Sequence, residues 1–313
     1  MERVTSGCSI GSPSGLGGAA IALVAALPLV LKDNYYLHLM ILFLMWVVIG
    51  SAWNLIAGYT GQVSFGDAAF FGCGAYTAGL LATHLGVSTW WGLALGGFTA
   101  VAVGLPFGWI CFRMRGAYFA LATLALNEVL RHGATIAEKY TGGMVGILIM
   151  PSFTSKVPYF YIALAMAVAS LASLQLVVRS KPGYYFVSIR EDQDAAADVG
   201  VHPYRCKLAV HALAACLTGI AGGVFVHYSA YIHPDGVFAF ATSTSILLMP
   251  VIGGLGTLSG PIIGAAVYSI VQEEMVVNFP QFHLLLYGAL LILIMLFEPG
   301  GLAGLWRRLA RGL

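Results

Sequence analysis

Apolar residues gather into long runs set apart by short polar or glycine-rich punctuation. The runs fall at 16–31, 36–57, 65–83, 90–112, 117–136, 158–179, 208–230, 242–254, 261–278 and 283–298. A helix rises about 1.5 Å per residue and needs about 20 apolar residues to cross the hydrocarbon layer. These lengths predict an all-α, polytopic integral membrane bundle of about ten membrane segments, including short or broken helices. Run 242–254 spans only about half a bilayer as a helix. It is expected to join the turn behind it, Gly253-Gly254-Leu255-Gly256-Thr257-Leu258-Ser259-Gly260-Pro261. The first 15 residues are rich in Gly and Ser and show no signal-peptide cleavage pattern, so the apolar stretch after them is expected to stay as the first span. Residues 1–313 then form a single transmembrane domain with one polar loop, 180–207.

That loop changes the picture most. Residues 179–207 hold nine of the 28 Asp, Glu, Lys and Arg residues in a chain that is 59% hydrophobic and 9% charged. Soluble domains carry about 25% charged residues, and the mean hydropathy of +0.86 points the same way. The net charge of +2 is too small to suggest nucleic acid. Within the loop, Ser188 is placed to cap a short helix over 189–199 whose first turn carries Glu191 and Asp192, at the positive end of the helix dipole. Gly200 supplies a left-handed stop. With the amino terminus inside, eleven Lys and Arg fall on the inner side (Arg3, Arg113, Arg115, five in 179–207, Arg307, Arg308 and Arg311). Lys32, Arg131, Lys139 and Lys156 fall outside. This asymmetry predicts cytoplasmic termini and a cytoplasmic loop.

Two glycine-rich breaks interrupt the apolar region, Gly58–Gly66 and Gly253–Pro261. Each follows an inward-running span and precedes an outward-running one. Unwound backbone at membrane depth is tolerated where protein or a water-filled cavity satisfies it, and paired breaks in two halves point to a transport site. Close helix packing explains the same glycines equally well. Among intramembrane charges, Asp67 follows the first break, and Glu128 has Arg131 as an i,i+3 partner near the outer interface. Chemistry of other kinds has little footing. The chain shows no Walker-type phosphate loop, no H-E-x-x-H and no G-x-S-x-G. The five cysteines lack metal-type spacing, and the histidines at 84, 132, 202, 211, 227, 233 and 283 show no ligand spacing. No catalytic residue, metal or cofactor is expected. Two readings stay open on these residues: a secondary transporter using Asp67 or Glu128 as ion sites, and a membrane enzyme, which lacks suitably spaced groups.

Several stretches occur in an order that resembles one family. Asn54–Gly66 followed by Phe70-Phe71-Gly72-Cys73-Gly74-Ala75-Tyr76 is similar to the first signature of branched-chain amino acid ABC permeases of the LivM type. Arg115–Ala125 resembles the second, Thr141-Gly142-Gly143 the third, and Gly253–Thr257 with Gly260-Pro261 and Gly264-Ala265 the late glycine-rich turn. Ile189, Arg190, Glu191 and Asp192 with Ala195, Ala196 and Gly200 look like the family's cytoplasmic coupling loop. The resemblance covers residues 40–300. It departs at Asp67, where His or Gln is expected, and at Tyr184-Tyr185-Phe186, where a more basic segment is expected. What it implies is a permease in the bacterial inner membrane, in membrane lipid. Its implied partners are a LivH-type permease subunit, two ATPase subunits of LivG/LivF type that bind ATP-Mg, and a periplasmic binding protein of LivJ/LivK type. Gly61, Gln62, Ser64, Tyr118, Thr123, Thr141 and Gly142 are the side chains and amides expected near the translocation path. Branched-chain amino acids come first as substrate, with urea, short amides and aromatic acids carried by relatives of similar pattern.

Overall fold

The structure is a computed structural model describing residues 21–28, 33–278, 288–289, 292, 296 and 300–304. Most of the predicted span 283–298, half of span 16–31 and the Arg307–Arg308 tail lie outside the described residues. Between them the chain is helical: α1 Asn34–Thr60, α2 Asp67–Leu85, α3 Thr89–Cys111, α4 Ala117–Ile136, α5 Glu138–Thr141, α6 Lys156–Arg179, α7 Lys181–Glu191, α8 Gln193–Asp198, α9 Pro203–Ser229, α10 Pro234–Val237, α11 Phe240–Gly253 and α12 Gly260–Asn278. Among the described residues five stretches are long and apolar enough to cross a membrane: α1, α3, α6, α9, and α10 with α11 taken together. Helices α2, α4 and α12 occupy predicted runs at 19, 20 and 19 residues. A two-residue strand pair, Ile147–Leu148 with Tyr231–Ile232, runs antiparallel and ties the loop after α4 to the end of α9.

Helix α1 is the axis of the bundle, buried without a gap from Val47 through Thr60. Trp53, Ile41 and Ile49 lie in one continuous core with Phe71, Phe160, Val226 and Ile246 from α2, α6, α9 and α11. Helices α2, α3 and α9 approach backbone to backbone, because a Cβ at Gly74 would strike the Gly219 carbonyl and one at Gly96 would lie 2.9 Å from the Gly74 carbonyl. Without an apolar driving force between helices in lipid, such close van der Waals contact is what holds spans together.

Two expectations are corrected. The segment 242–254 does not draw its length from the turn behind it. Helix α11 stops at Gly253 because Gly254 adopts φ 123° and Gly256 φ 68°, and the added length comes from the one-turn α10 in front of it. The single helix 189–199 is two helices, broken at Asp192, whose backbone is extended at φ −154°, ψ 115°.

Candidate coupling and translocation site

The charged loop folds as α7 and α8 across one end of the bundle. In α7, Gly183, Phe186 and Ile189 are buried at the i,i+3 spacing that gives a helix one apolar face. Ala196 does the same for α8. Tyr184, Tyr185, Glu191, Ala195 and Val199 are left exposed. The cap belongs to Asp192, whose Oδ1 accepts from the amides of Asp194 (2.9 Å) and Ala195 (3.0 Å). Ser188 lies in the last turn of α7 and donates instead to the Tyr185 carbonyl. Gly200 is left-handed, at φ 89°.

Three cations fasten this segment to the bundle. Arg190 spreads its guanidinium between Glu191 Oε1 (Nη2 at 2.8 Å) and the carbonyl of Gly58 (Nη1 at 2.9 Å). Gly58 lies in the last turn of α1, where carbonyls lack helical partners and a positive charge complements the dipole. Arg115, in the α3–α4 loop, grips Asp194 with two bonds of 2.8 Å. The pair holds the Asp194 carboxyl below its usual range and pushes the Arg115 guanidinium up. Lys207 of α9, 1% exposed, donates to Gln193 Oε1 at 2.6 Å.

At Arg190 the last turn of α1 meets the second glycine-rich break; the first break is shorter than its sequence suggests, because α1 stays helical through Thr60 and ends at Gly61. Asn54 presents its amide edge to the second break, donating to the Thr257 carbonyl and accepting from the Gly256 amide, each at 2.9 Å. A Cβ at Gly58 would collide with Asn54 Oδ1 and sit 2.5 Å from the Gly256 nitrogen. One at Gly256 would lie 2.9 Å from the Gly58 carbonyl and 3.0 Å from Arg190 Nη1. The coupling segment, the end of α1 and the α11–α12 turn therefore form one contact.

The expected path residues divide into separate groups. Gly61 packs against Arg190, where a Cβ would lie 3.0 Å from Cγ, and Gln62 beside it is half-buried. Ser64 and Thr123 are both 1% exposed and share a polar knot that serves the unwound backbone. The Ser64 carbonyl accepts from Trp53 Nε1 (2.8 Å), the Phe65 amide donates to Thr123 Oγ1 (3.0 Å), and Asn127 Nδ2 reaches the Phe65 carbonyl (2.5 Å) and Ser243 Oγ (2.7 Å). Asp67 opens α2 in this knot, 1% exposed, with no hydrogen bond to either carboxylate oxygen. The Ser64 hydroxyl and the Asp67 amide lie near that carboxylate without meeting hydrogen-bond geometry. Tyr118, 75% exposed, starts α4. Thr141 and Gly142 lie beyond its far end, with Thr141 Oγ1 on the Ala134 and Ala137 carbonyls. The 20 residues of α4 put about 30 Å between Tyr118 and Thr141.

Glu128 and Arg131 pair as their spacing predicts, at 2.7 Å, and Arg131 also holds Asp235 of α10 at 2.8 Å. Among the described residues no group of three or more His, Cys, Asp or Glu is arranged to hold a metal. Sequence reading missed Asn54, Arg115, Gln193, Asp194, Lys207 and Asp235 as contacts. Only Arg115 carried a usable signal, as one of two arginines, with Arg113, between two apolar runs.

Apolar spans, two glycine breaks and a charged cap joined to them define a polytopic helical membrane protein. The family model for the branched-chain amino acid transport system permease component matches residues 35–295, and the chain belongs to that family. It is 29% identical over 294 residues to the high-affinity branched-chain amino acid transport system permease protein LivM of Salmonella typhimurium, covering 84% of this chain and 69% of that protein, with the same figures for LivM of Escherichia coli. It is 22% identical over 289 residues to LivH of Escherichia coli, covering 82% of this chain and 93% of that protein. No solved structure matches.

Proposed function

We propose that this chain is the membrane-spanning subunit of a bacterial ABC importer for branched-chain amino acids. It works beside a LivH-type permease, two ATPase subunits and a periplasmic binding protein that delivers the solute. The observation that carries this reading is the triple contact of Arg190, Gly58 and Gly256. Helices α7 and α8 face the cytoplasm, a reading the distribution of Lys and Arg supports, and the exposed Tyr184, Tyr185, Glu191 and Ala195 meet the ATPase.

The mechanism follows from stiffness. Helix α7 seats Phe186 and Ile189 in the bundle; Arg190 joins α7 to α1, while Arg115 and Lys207 join α8 to the α3–α4 loop and to α9. A push on α7–α8 is then delivered to the Gly58 carbonyl and the Gly256 turn as one body. Both breaks have glycines where the backbone pivots, so they absorb the rotation while the packed spans move as rigid rods. The knot at Ser64, Thr123 and Asn127 joins the first break to α4, so α4 moves with it. The chain supplies the handle and the path; ATP-Mg is bound and hydrolysed by the partner subunits.

Family membership and the LivM likeness favour leucine, isoleucine and valine as cargo over urea, short amides or aromatic acids. The test has two arms. Cysteines at Tyr184 and Val199 should react with an impermeant thiol reagent only when the cytoplasmic side is accessible. Glu191→Lys should abolish leucine uptake by the assembled transporter while the protein still inserts. Labelling from the periplasm, or unchanged uptake in the variant, would overturn the assignment.

A further inference from the structure

One cavity takes no part in the coupling mechanism. It holds about 710 Å³ and is lined by residues from the start of α1, the loop before α6, the start of α6 and the end of α9. That volume lies within the ~300–1,000 Å³ of ligand sites. Leu42, Phe153 and Phe225 make apolar walls, joined by the rings of Tyr159 and Tyr228, which meet edge to face at 5.5 Å. Tyr228 hydroxyl and His38 Nδ1 satisfy each other. Among the described residues the lining contains one permanent charge, Lys156, and no carboxylate. Its ammonium gives one bond, to the Asn34 carbonyl at 3.2 Å, and an ammonium has three donors.

We propose that this cavity binds an anionic phospholipid, its phosphate on Lys156 and the upper part of an acyl chain against Leu42 and Phe225. The position supports a lipid. The cavity lies where three apolar spans end, at Asn34, Lys156 and Ser229, and a lysine at such an end extends toward the interface. The apolar walls need an alkyl occupant, which free phosphate cannot supply. A zwitterionic headgroup carries a compensating cation, for which the cavity offers no carboxylate, so net negative lipids are preferred.

Native mass spectrometry of the full-length protein, exchanged into mixed phosphatidylglycerol and phosphatidylcholine micelles, tests this. The wild type should retain one phosphatidylglycerol at about tenfold preference, as expected for one charge-assisted contact. Lys156→Ala should lose the preference, and Leu42→Trp, whose indole intrudes on the acyl-chain wall, should weaken lipid retention. Inorganic phosphate in excess should not displace it. Equal preference in wild type and Lys156→Ala, unchanged retention in a folded Leu42→Trp protein, or displacement by phosphate would each overturn the proposal. Lys156→Ala removes a partly exposed side chain, so it keeps the test open if Leu42→Trp does not fold.

Discussion

Replacing Arg190 by Ala removes the link between the coupling segment and the helix breaks, and the structure sets the size of the effect. The Glu191 half of the fork is small, since Glu191 is 70% exposed and exposed pairs contribute about 0–1 kcal/mol. The bond to the Gly58 carbonyl is charge-assisted, in a class that contributes about 1.5–3 kcal/mol. With the Arg190 side chain 37% exposed, the lower end applies, about 1.5 kcal/mol. A cation at a helix C-terminus adds about 0.3–1 kcal/mol. The total is about 2 kcal/mol, or about 30-fold in an equilibrium. If the contact is held through the access change, leucine uptake per ATP hydrolysed by the complete transporter in vesicles should fall by up to about 30-fold. Hydrolysis should persist. Arg190→Lys keeps the charge but cannot span both acceptors, so it should fall between. Wild-type uptake per ATP in a well-inserted Arg190→Ala protein would refute the reasoning.

Gly58→Ala should be worse than Arg190→Ala, because its Cβ would sit 2.5 Å from the Gly256 nitrogen. Overpacking of this kind costs about 1–3 kcal/mol, read as a lower melting temperature together with lost uptake. Asn54→Leu should resemble it, since it strands the Thr257 carbonyl and Gly256 amide; a stability change under about 0.5 kcal/mol would argue against the clamp. Arg115→Asp should weaken uptake and Asp194→Arg in the same chain should restore it, which a double-mutant cycle would detect. The sign with pH follows from the lowered Asp194 carboxyl: the tether is complete above the ordinary carboxylate range of about 4 and is lost only as pH falls through the lowered value. Uptake differences between wild type and Asp194→Asn should therefore not vary across neutral pH.

The spans were legible because hydrophobic length is a local property, and α1, α3, α6 and α9 fall on runs visible in the sequence. Gly200 as a stop and the Glu128–Arg131 pair were legible for the same reason, since both depend on neighbours within one turn. Ser188 misled because it precedes an acidic pair, yet the aromatic run at 184–186 starts its own helix with Pro182 in its first turn. That leaves Asp192 as the better-placed cap. Long-range contacts were not legible. Nothing local in Asn54 announces a partner 203 residues away, and Asp194 looks like any solvated acid until Arg115, 79 residues earlier, is folded beside it. The two breaks are legible as a pair, but the contact of Gly58, in the last turn of α1, with Gly256 depends on tertiary packing. The dispersal of Tyr118 and Thr141 to opposite ends of α4 follows from the length of that helix.

The central claim is that this chain transports only when a separate motor acts on α7–α8. Vesicles containing the permease pair should be assayed for leucine accumulation in three states: alone, with an imposed proton or sodium gradient, and with ATPases, binding protein and ATP. Accumulation in the third state alone is the predicted result. Accumulation driven by an ion gradient without nucleotide would contradict the account.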